Sequence, residues 1–446
     1  MPRDAGIYAP GWGSPMENPR RRRRLVALVA AAVLAATAAG CSSGSFSGSG
    51  ENRNAAARTG SCVSPGVTDD KIKIGLVFPD TGPLASILGP SRAGMEARLG
   101  LANEQGGVHG RRIEYVWRDD ATDPAINAAV VRELVEREEV FGLIQSSTAS
   151  SGGAEYLREK GIPVAGLPAE TIWTDPANQH MFAYSYLFTD GPSVDTYGRF
   201  VRAQGATRVA VITSDLAAAA DTIGSKIVES LRAAGVEVLP QPFVYNPNVT
   251  SARLLGQQLR EAGVDVITGA MSGEDMAAVI QGARDAGANI KFLLAPSGYD
   301  PGLLQQYGAK LAGMTTFVNY VPFEANTPAH EAYLAAMARY APEMRNPQHE
   351  IAFVNYILTD LFIRGLQEAG PCPTREKFIR NLRAVSDYDA GGLIAGQVDL
   401  TRDFGQLSTC YTFVRVNPAG TAFEIVENNT PGAPSRTQWC GERLEH

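Results

Sequence analysis

From residue 71 onward the chain alternates short, β-branched apolar runs with longer amphipathic ones, and this rhythm restricts the fold more than any other feature of the sequence. Residues 71–78 alternate like a half-buried strand, 91–103 read as a helix stopped by Gly106 and Gly107, and 113–117 form the next strand. Asp123-Pro124 then opens a helix running to about Arg137, followed by a strand over 140–145, a helix ending near Lys160 and a short strand over 163–165. Strands separated by helices in this order argue for an α/β fold, a parallel sheet with helices on both faces.

The rhythm restarts further on. Asp190 is placed to cap a helix through Arg202, 208–213 is a strand, and 221–234 is a helix ended by Gly235. Residues 236–245 read as extended, 250–262 as helix, 264–268 as strand, 273–286 as helix and 291–295 as strand. The segments 113–145 and 236–268 share one order, strand, polar loop with a proline, helix, strand. That similarity, together with a length beyond what one core usually holds, predicts two Rossmann-like lobes of like topology. A hydrophobic content of 44% suffices to fill both.

The N-terminal segment has a different character. Arg20 to Arg24, an apolar run over 25–39, Gly40, and then Cys41 with Ser42-Ser43-Gly44 resemble a bacterial lipoprotein signal peptide. The apolar run is too short for an ordinary transmembrane helix. A start at Met16 instead of Met1 would give the signal a more ordinary length. The resemblance implies removal of 1–40, lipidation of Cys41, and a chain held on the outer face of the cytoplasmic membrane. An ordinary cleaved signal with an unmodified Cys41 is the alternative. Residues 42–60, rich in Ser, Gly, Ala and Asn, cannot bury enough apolar surface to fold, which makes 41–67 a tether. As a flexible coil, 42–60 spans on the order of 25 Å.

Without 1–40 the chain carries 34 basic and 45 acidic residues, a net charge of −11. An acidic balance without basic blocks argues against nucleic acid and against anionic lipid headgroups as partners. Besides Cys41 there remain Cys62, Cys372, Cys410 and Cys440, an even number suited to an oxidising compartment. Of the three pairings they allow, Cys372 with Cys410 and Cys62 with Cys440 are favoured here, because the second would tie the two ends of the fold. No CxxC occurs and the five histidines are scattered, so neither a metal site nor a cofactor is expected.

In open parallel sheets, ligands bind beyond the carboxyl ends of strands. Four loops occupy such positions: Pro79-Asp80-Thr81-Gly82, Ser146-Ser147-Thr148, Ala270-Met271-Ser272-Gly273 and Pro296-Ser297-Gly298-Tyr299. Their hydroxyls and glycines suit a carboxylate or another polar group at a helix N-terminus, although serine and threonine there also serve as plain helix caps.

These residues are similar to a known family, the type I periplasmic binding proteins that act as branched-chain amino-acid receptors for ABC transporters. The similarity covers roughly 68–405. It rests on Ile72-Lys73-Ile74-Gly75 before Thr81-Gly82-Pro83-Leu84, on Asn103-Glu104-Gln105-Gly106-Gly107-Val108 with Gly110, and on Asp119-Asp120 with Asp123-Pro124. Gly161-Ile162-Pro163 and Pro168-Ala169-Glu170-Thr171 complete it. The resemblance implies a binding protein without catalytic chemistry, in which two lobes joined by a three-segment hinge close over a small solute and deliver it to a permease. The crossings fall near 184–189, 318–323 and 394–400, giving one lobe of 68–186 plus 324–393 and another of 187–323 plus 394–446.

It also implies ligand positions. Ser147 or Thr148 would supply a hydroxyl to a ligand carboxylate, Ala169 a backbone carbonyl, and Thr171 a second hydroxyl. Where the family places an acid against the ligand's ammonium this chain has Ser297, and where it places an aromatic wall the chain has Met271; residues 215–220 read Asp-Leu-Ala-Ala-Ala-Ala in place of a loop with tyrosine. A buried ammonium requires a compensating charge, which Glu170 or Asp300 is positioned to offer. Trp173 offers an aromatic face or simple packing. The expected ligand is a small polar solute, an amino acid or a related amide or carboxylate. Sensing for a membrane receptor, or a structural role with a degenerate cleft, are the alternatives. An enzyme is not expected, since no Walker, G-x-S-x-G or H-E-x-x-H pattern occurs.

Overall fold

A computed structural model describes residues 64–213, 217–433 and 435–445. Cys41, Cys62, the signal segment and residues 214–216 of the alanine-rich loop lie outside the described residues. The first sheet has the spatial order Arg112–Arg118, Lys71–Val77, Leu143–Gln145, Val164–Gly166, Met181–Phe182, all parallel. Leu143–Gln145 and Val164–Gly166 are buried throughout, as a parallel sheet covered on both faces requires.

Local chemistry sets the helix starts. Asp123 accepts hydrogen bonds from the amides of Ala125 and Ile126, and Pro124 occupies the first turn of Pro124–Glu136, where its missing N–H costs nothing. This helix packs on Ser151–Glu159, while Ser91–Glu104 packs on Glu350–Glu368 and Pro328–Tyr340. The last two come from far along the chain yet complete the layer beside the first sheet; Glu350–Glu368 also contacts Leu143–Gln145 and Val164–Gly166.

Close approach between Ser91–Glu104 and Glu350–Glu368 depends on Gly94. A Cβ added there would lie 1.9 Å from the carbonyl oxygen of Ala352. A buried polar cluster sits beside this crossing. Ser91 Oγ donates to Ser146 Oγ at 2.7 Å, and Asn355 Nδ2 donates to both hydroxyls at 3.1 Å.

The second sheet runs, among the described residues, Phe423–Ile425, Cys410–Val416, Met314–Val318, Phe292–Ala295, Val266–Thr268, Arg208–Thr213, Glu237–Val238. It is parallel from Met314–Val318 to Glu237–Val238, whereas Cys410–Val416 joins antiparallel and pairs in turn with Phe423–Ile425 and Trp439–Cys440. Both sheets are therefore the parallel α/β units that the sequence rhythm indicates. The expected extended run 236–245 is instead two short strands, Glu237–Val238 and Phe243–Val244, both paired with Arg208–Thr213. Pro240 and Pro242 interrupt it, since neither carries a ladder donor.

Three further expectations are corrected. The helix placed after Asp190 begins only at Thr196, because Thr189 Oγ1 donates to the carbonyl of Gly405 at 2.7 Å and accepts the Gly191 amide at 3.1 Å, holding this stretch out of helix. Cys410 pairs with Cys440 rather than with Cys372. The two cysteines stand directly opposite each other in the antiparallel register of Cys410–Val416 and Trp439–Cys440, which brings their Cα atoms to 4.1 Å. Cys440 is thereby unavailable to Cys62. Cys372 is also disulfide-bonded, and neither Cys410 nor Cys440 is its partner.

Two outcomes follow. Non-reducing peptide mapping will recover a peptide joining Cys410 to Cys440. Gly94→Val will destabilise the fold by about 1–3 kcal/mol, the usual cost of overpacking, seen as a lower chemical-denaturation midpoint.

Candidate functional site

Three parallel strands of the first sheet and two of the second deliver their carboxyl ends to one cavity of about 310 Å³. Thr148 follows Leu143–Gln145, Leu167 to Ala169 follow Val164–Gly166, and Ser185 with Phe188 follow Met181–Phe182. From the second sheet, Ser297 follows Phe292–Ala295, and Asn319 with Tyr320 follow Met314–Val318. The volume lies at the lower end of the roughly 300–1,000 Å³ typical of small-molecule sites. Its wall is mainly apolar, with Leu84, Ile87, Leu187, Ile351, Val354 and Leu358 prominent.

Among the lining residues Glu350 is the one acid, and no lysine, arginine or histidine accompanies it. It occupies the first turn of Glu350–Glu368, whose N-cap His349 accepts the Ile351 amide at 3.2 Å. A helix N-terminus favours a carboxylate there, and Tyr320 Oη donates to Glu350 Oε1 at 3.2 Å, which favours the charge further. Removal from water outweighs both, and with Asp300 nearby it pushes the Glu350 carboxyl up to about 7. Burial also raises the phenols of Tyr184 and Tyr320, and the nearby Glu350 reinforces that shift.

Of the residues singled out in the sequence, Thr148, Ala169 and Ser297 meet at this cavity. Glu170 and Thr171 open instead onto a neighbouring groove of about 660 Å³ that also borders Asp190 and Gly405. The Glu170 carboxylate is engaged by Ser151, whose Oγ donates at 2.6 Å and whose amide donates at 3.2 Å. Thr81 is turned to Asp119, donating to Oδ2 at 2.6 Å. Ser147 is buried and its Oγ accepts the Ala149 amide.

The remaining candidates serve the scaffold. Trp173 and Met271 are buried in the core, outside the cavity wall. Ser272 caps Gly273–Asp285 by accepting the Asp275 amide. Tyr299 is buried, with Oη donating to Glu324 Oε2 at 2.6 Å and accepting the Phe323 amide at 2.8 Å. Asp300 caps Pro301–Tyr307 and accepts from Asn346 Nδ2 at 2.7 Å. Sequence reading missed Glu350, Tyr320 and the apolar wall; an acid opening a strongly apolar helix was the available signal.

Behind the cavity, the segments 184–185, 319 and 394–398 line a second cavity of about 250 Å³. Asn319 Nδ2 bonds Ser185 Oγ, the Val321 amide donates to the carbonyl of Leu393 at 2.9 Å, and Gln438 Nε2 donates to that of Ala395 at 3.3 Å.

A cavity walled by the strand ends of two parallel sheets lies where open α/β folds place their ligands. The chain belongs to the periplasmic binding protein family, whose model matches residues 71–421. It is 23% identical over 331 residues to the leucine-, isoleucine-, valine-, threonine- and alanine-binding protein of Pseudomonas aeruginosa, covering 74% of this chain and 87% of that one. In fold it is similar to a fatty acid ABC transporter substrate-binding protein from Thermomonospora curvata, with TM-score 0.65, 19% identity, and 82% and 94% of the two chains covered. The branched-chain amino acid transporter substrate-binding protein LivJ from Streptococcus pneumoniae in complex with isoleucine gives TM-score 0.63 and 19% identity, with 80% and 100% covered. The family consists of substrate-binding proteins, and this chain is a binding protein rather than an enzyme.

An acid whose pKa is raised by folding holds its proton more tightly in the folded state, so the associated stabilisation is present in acid and lost as pH rises through about 7. Glu350→Gln, which carries no charge at any pH, will therefore raise the melting temperature of the ligand-free protein at about pH 8 and change it much less at about pH 5.

Proposed function

We propose that the protein is an extracytoplasmic receptor, lipid-anchored through Cys41, that captures a small solute with an apolar body and a polar head between two lobes and passes it to an ABC permease. The carrying observation is the cavity of about 310 Å³ walled from both sheets at their carboxyl ends. The solute is an amino acid or a chemically related molecule. The ligands named for the similar proteins, isoleucine in one and a fatty acid in another, share an apolar body with a polar end.

The two lobes in this reading are 68–186 plus 324–393 and 187–323 plus 394–446. Packing of Glu350–Glu368 beside the first sheet and pairing of Cys410–Val416 in the second support that division. The crossings near 184–189, 318–323 and 394–400 form the hinge, supported by the shared cavity they line. Solute biases the hinge toward closure by contacting walls from both lobes at once, which the open form does not permit.

Within the cleft, Thr148 gives a hydroxyl to the polar head, Ala169 a backbone carbonyl, and Ser297 a hydroxyl from the opposite wall. Leu84, Val354 and Leu358 hold the apolar body. A thermal-shift screen of apolar amino acids, amines and carboxylic acids will return at least one stabilising solute. Val354→Trp, which fills the cavity, will abolish that stabilisation, and Thr148→Ala will weaken the affinity by about tenfold, the usual effect of one lost hydrogen bond. Silence across the panel, or binding indifferent to Val354→Trp, would count against a solute cleft at this place.

A further inference from the structure

The composition of the cavity wall says more than that a solute fits. No lysine, arginine or histidine lines it, so the site holds one ionisable carboxyl and no protein cation to balance it. The groups that bear on Glu350 from each element around it are phenols or another acid. Tyr184 follows Met181–Phe182, Tyr320 follows Met314–Val318, and Tyr299 and Asp300 precede Pro301–Tyr307. Its neighbour His349 is committed to the helix cap.

A carboxylate drawn into an apolar cavity without a counter-charge is strongly disfavoured, and the protein leaves this one unbalanced. Tyr320 satisfies one oxygen, Oε1; no hydrogen bond to Oε2 is found among the described residues. An anionic head beside Glu350 would add like-charge repulsion within a mainly apolar wall. A cationic head would supply the missing charge. The wall at Leu84, Ile87 and Leu88 carries no charge and suits an alkyl or aryl body.

On the reading that this cavity is the solute cleft, we infer that it selects solutes carrying a protonated amine on an apolar body, with the nitrogen seated against Glu350, and that a carboxylate on the solute is dispensable. The raised proton affinity of Glu350 adds that capture weakens in acid, where the carboxyl is neutral and the charge pair is lost.

The test uses the full exported chain and two matched trios of probes, isoamylamine, leucine and isovalerate, and phenethylamine, phenylalanine and hydrocinnamate. Binding is measured by titration calorimetry at about pH 5.5 and about pH 8, conditions under which the amines stay protonated. The expected result is that an amine binds without needing a carboxylate, that its affinity is at least about fivefold higher at pH 8, and that Glu350→Gln lowers it by about tenfold or more. A melting curve for Glu350→Gln confirms that the variant is folded, and the pH series on the unaltered protein gives a readout independent of it.

Binding of the acids but not the amines would overturn the inference, as would binding of the amino acids alone, or amine binding indifferent to both pH and Glu350→Gln. In each of those cases, sensitivity of the bound probe to Val354→Trp would leave the cleft itself standing. Binding of none of the six overturns the inference, and a wider solute screen that is also silent removes the cleft with it.

Discussion

The hydrogen-bonded junction of Ser91, Ser146 and Asn355 is the contact on which the working end of the molecule depends. It joins three elements that are remote in sequence: the start of Ser91–Glu104, the loop leaving Leu143–Gln145, and the second turn of Glu350–Glu368. Asn355 Nδ2 also donates to the carbonyl of Ile351 one turn back, so the junction fixes the helix turn that carries Glu350, Ile351 and Val354 to the cavity. All three side chains are fully buried, and losing one of these bonds would strand a polar group at a cost of about 1–3 kcal/mol, as Asn355 Oδ1 already is among the described residues. The geometry of the cavity wall is therefore set in part by contacts beneath it.

That support explains why the cleft tolerates features a core would not. An acid without a cation and an Ile87 that is 50% exposed both lower the stability of the fold. Sites built for binding commonly carry such costs, since a surface complementary to a ligand is incomplete without it. Around them the scaffold is conventional, with satisfied helix caps at Asp123, Ser272 and Thr327.

The sheets were legible because parallel strands buried on both faces read as near-continuous apolar runs, and their order as βαβ units limits where they can lie. Thr148, Ala169 and Ser297 were legible for the same reason: a loop at the carboxyl end of a parallel strand has one destination. Trp173, Met271 and Tyr299 sit in or just after those loops yet turn into the core, and loop position does not give side-chain direction. Glu350 lay out of reach for a different reason. Its helix begins about two hundred residues after Thr148, and an acid in a first helical turn is what the helix dipole alone would favour. The pairing of Cys410 with Cys440 needed the antiparallel register at the end of the second sheet, which no spacing rule supplies.

The three C-terminal strands also decide how the molecule meets its neighbours. Met314–Val318 would otherwise end the parallel part of the second sheet with a row of free amides and carbonyls, a template for another chain. Cys410–Val416 covers that row, and Phe423–Ile425 and Trp439–Cys440 cover Cys410–Val416 in turn, the latter held by a covalent link. The disulfide thus works as a staple on an edge: it holds Trp439–Cys440 over the end of Cys410–Val416, where unpaired backbone groups would otherwise lie open to another strand.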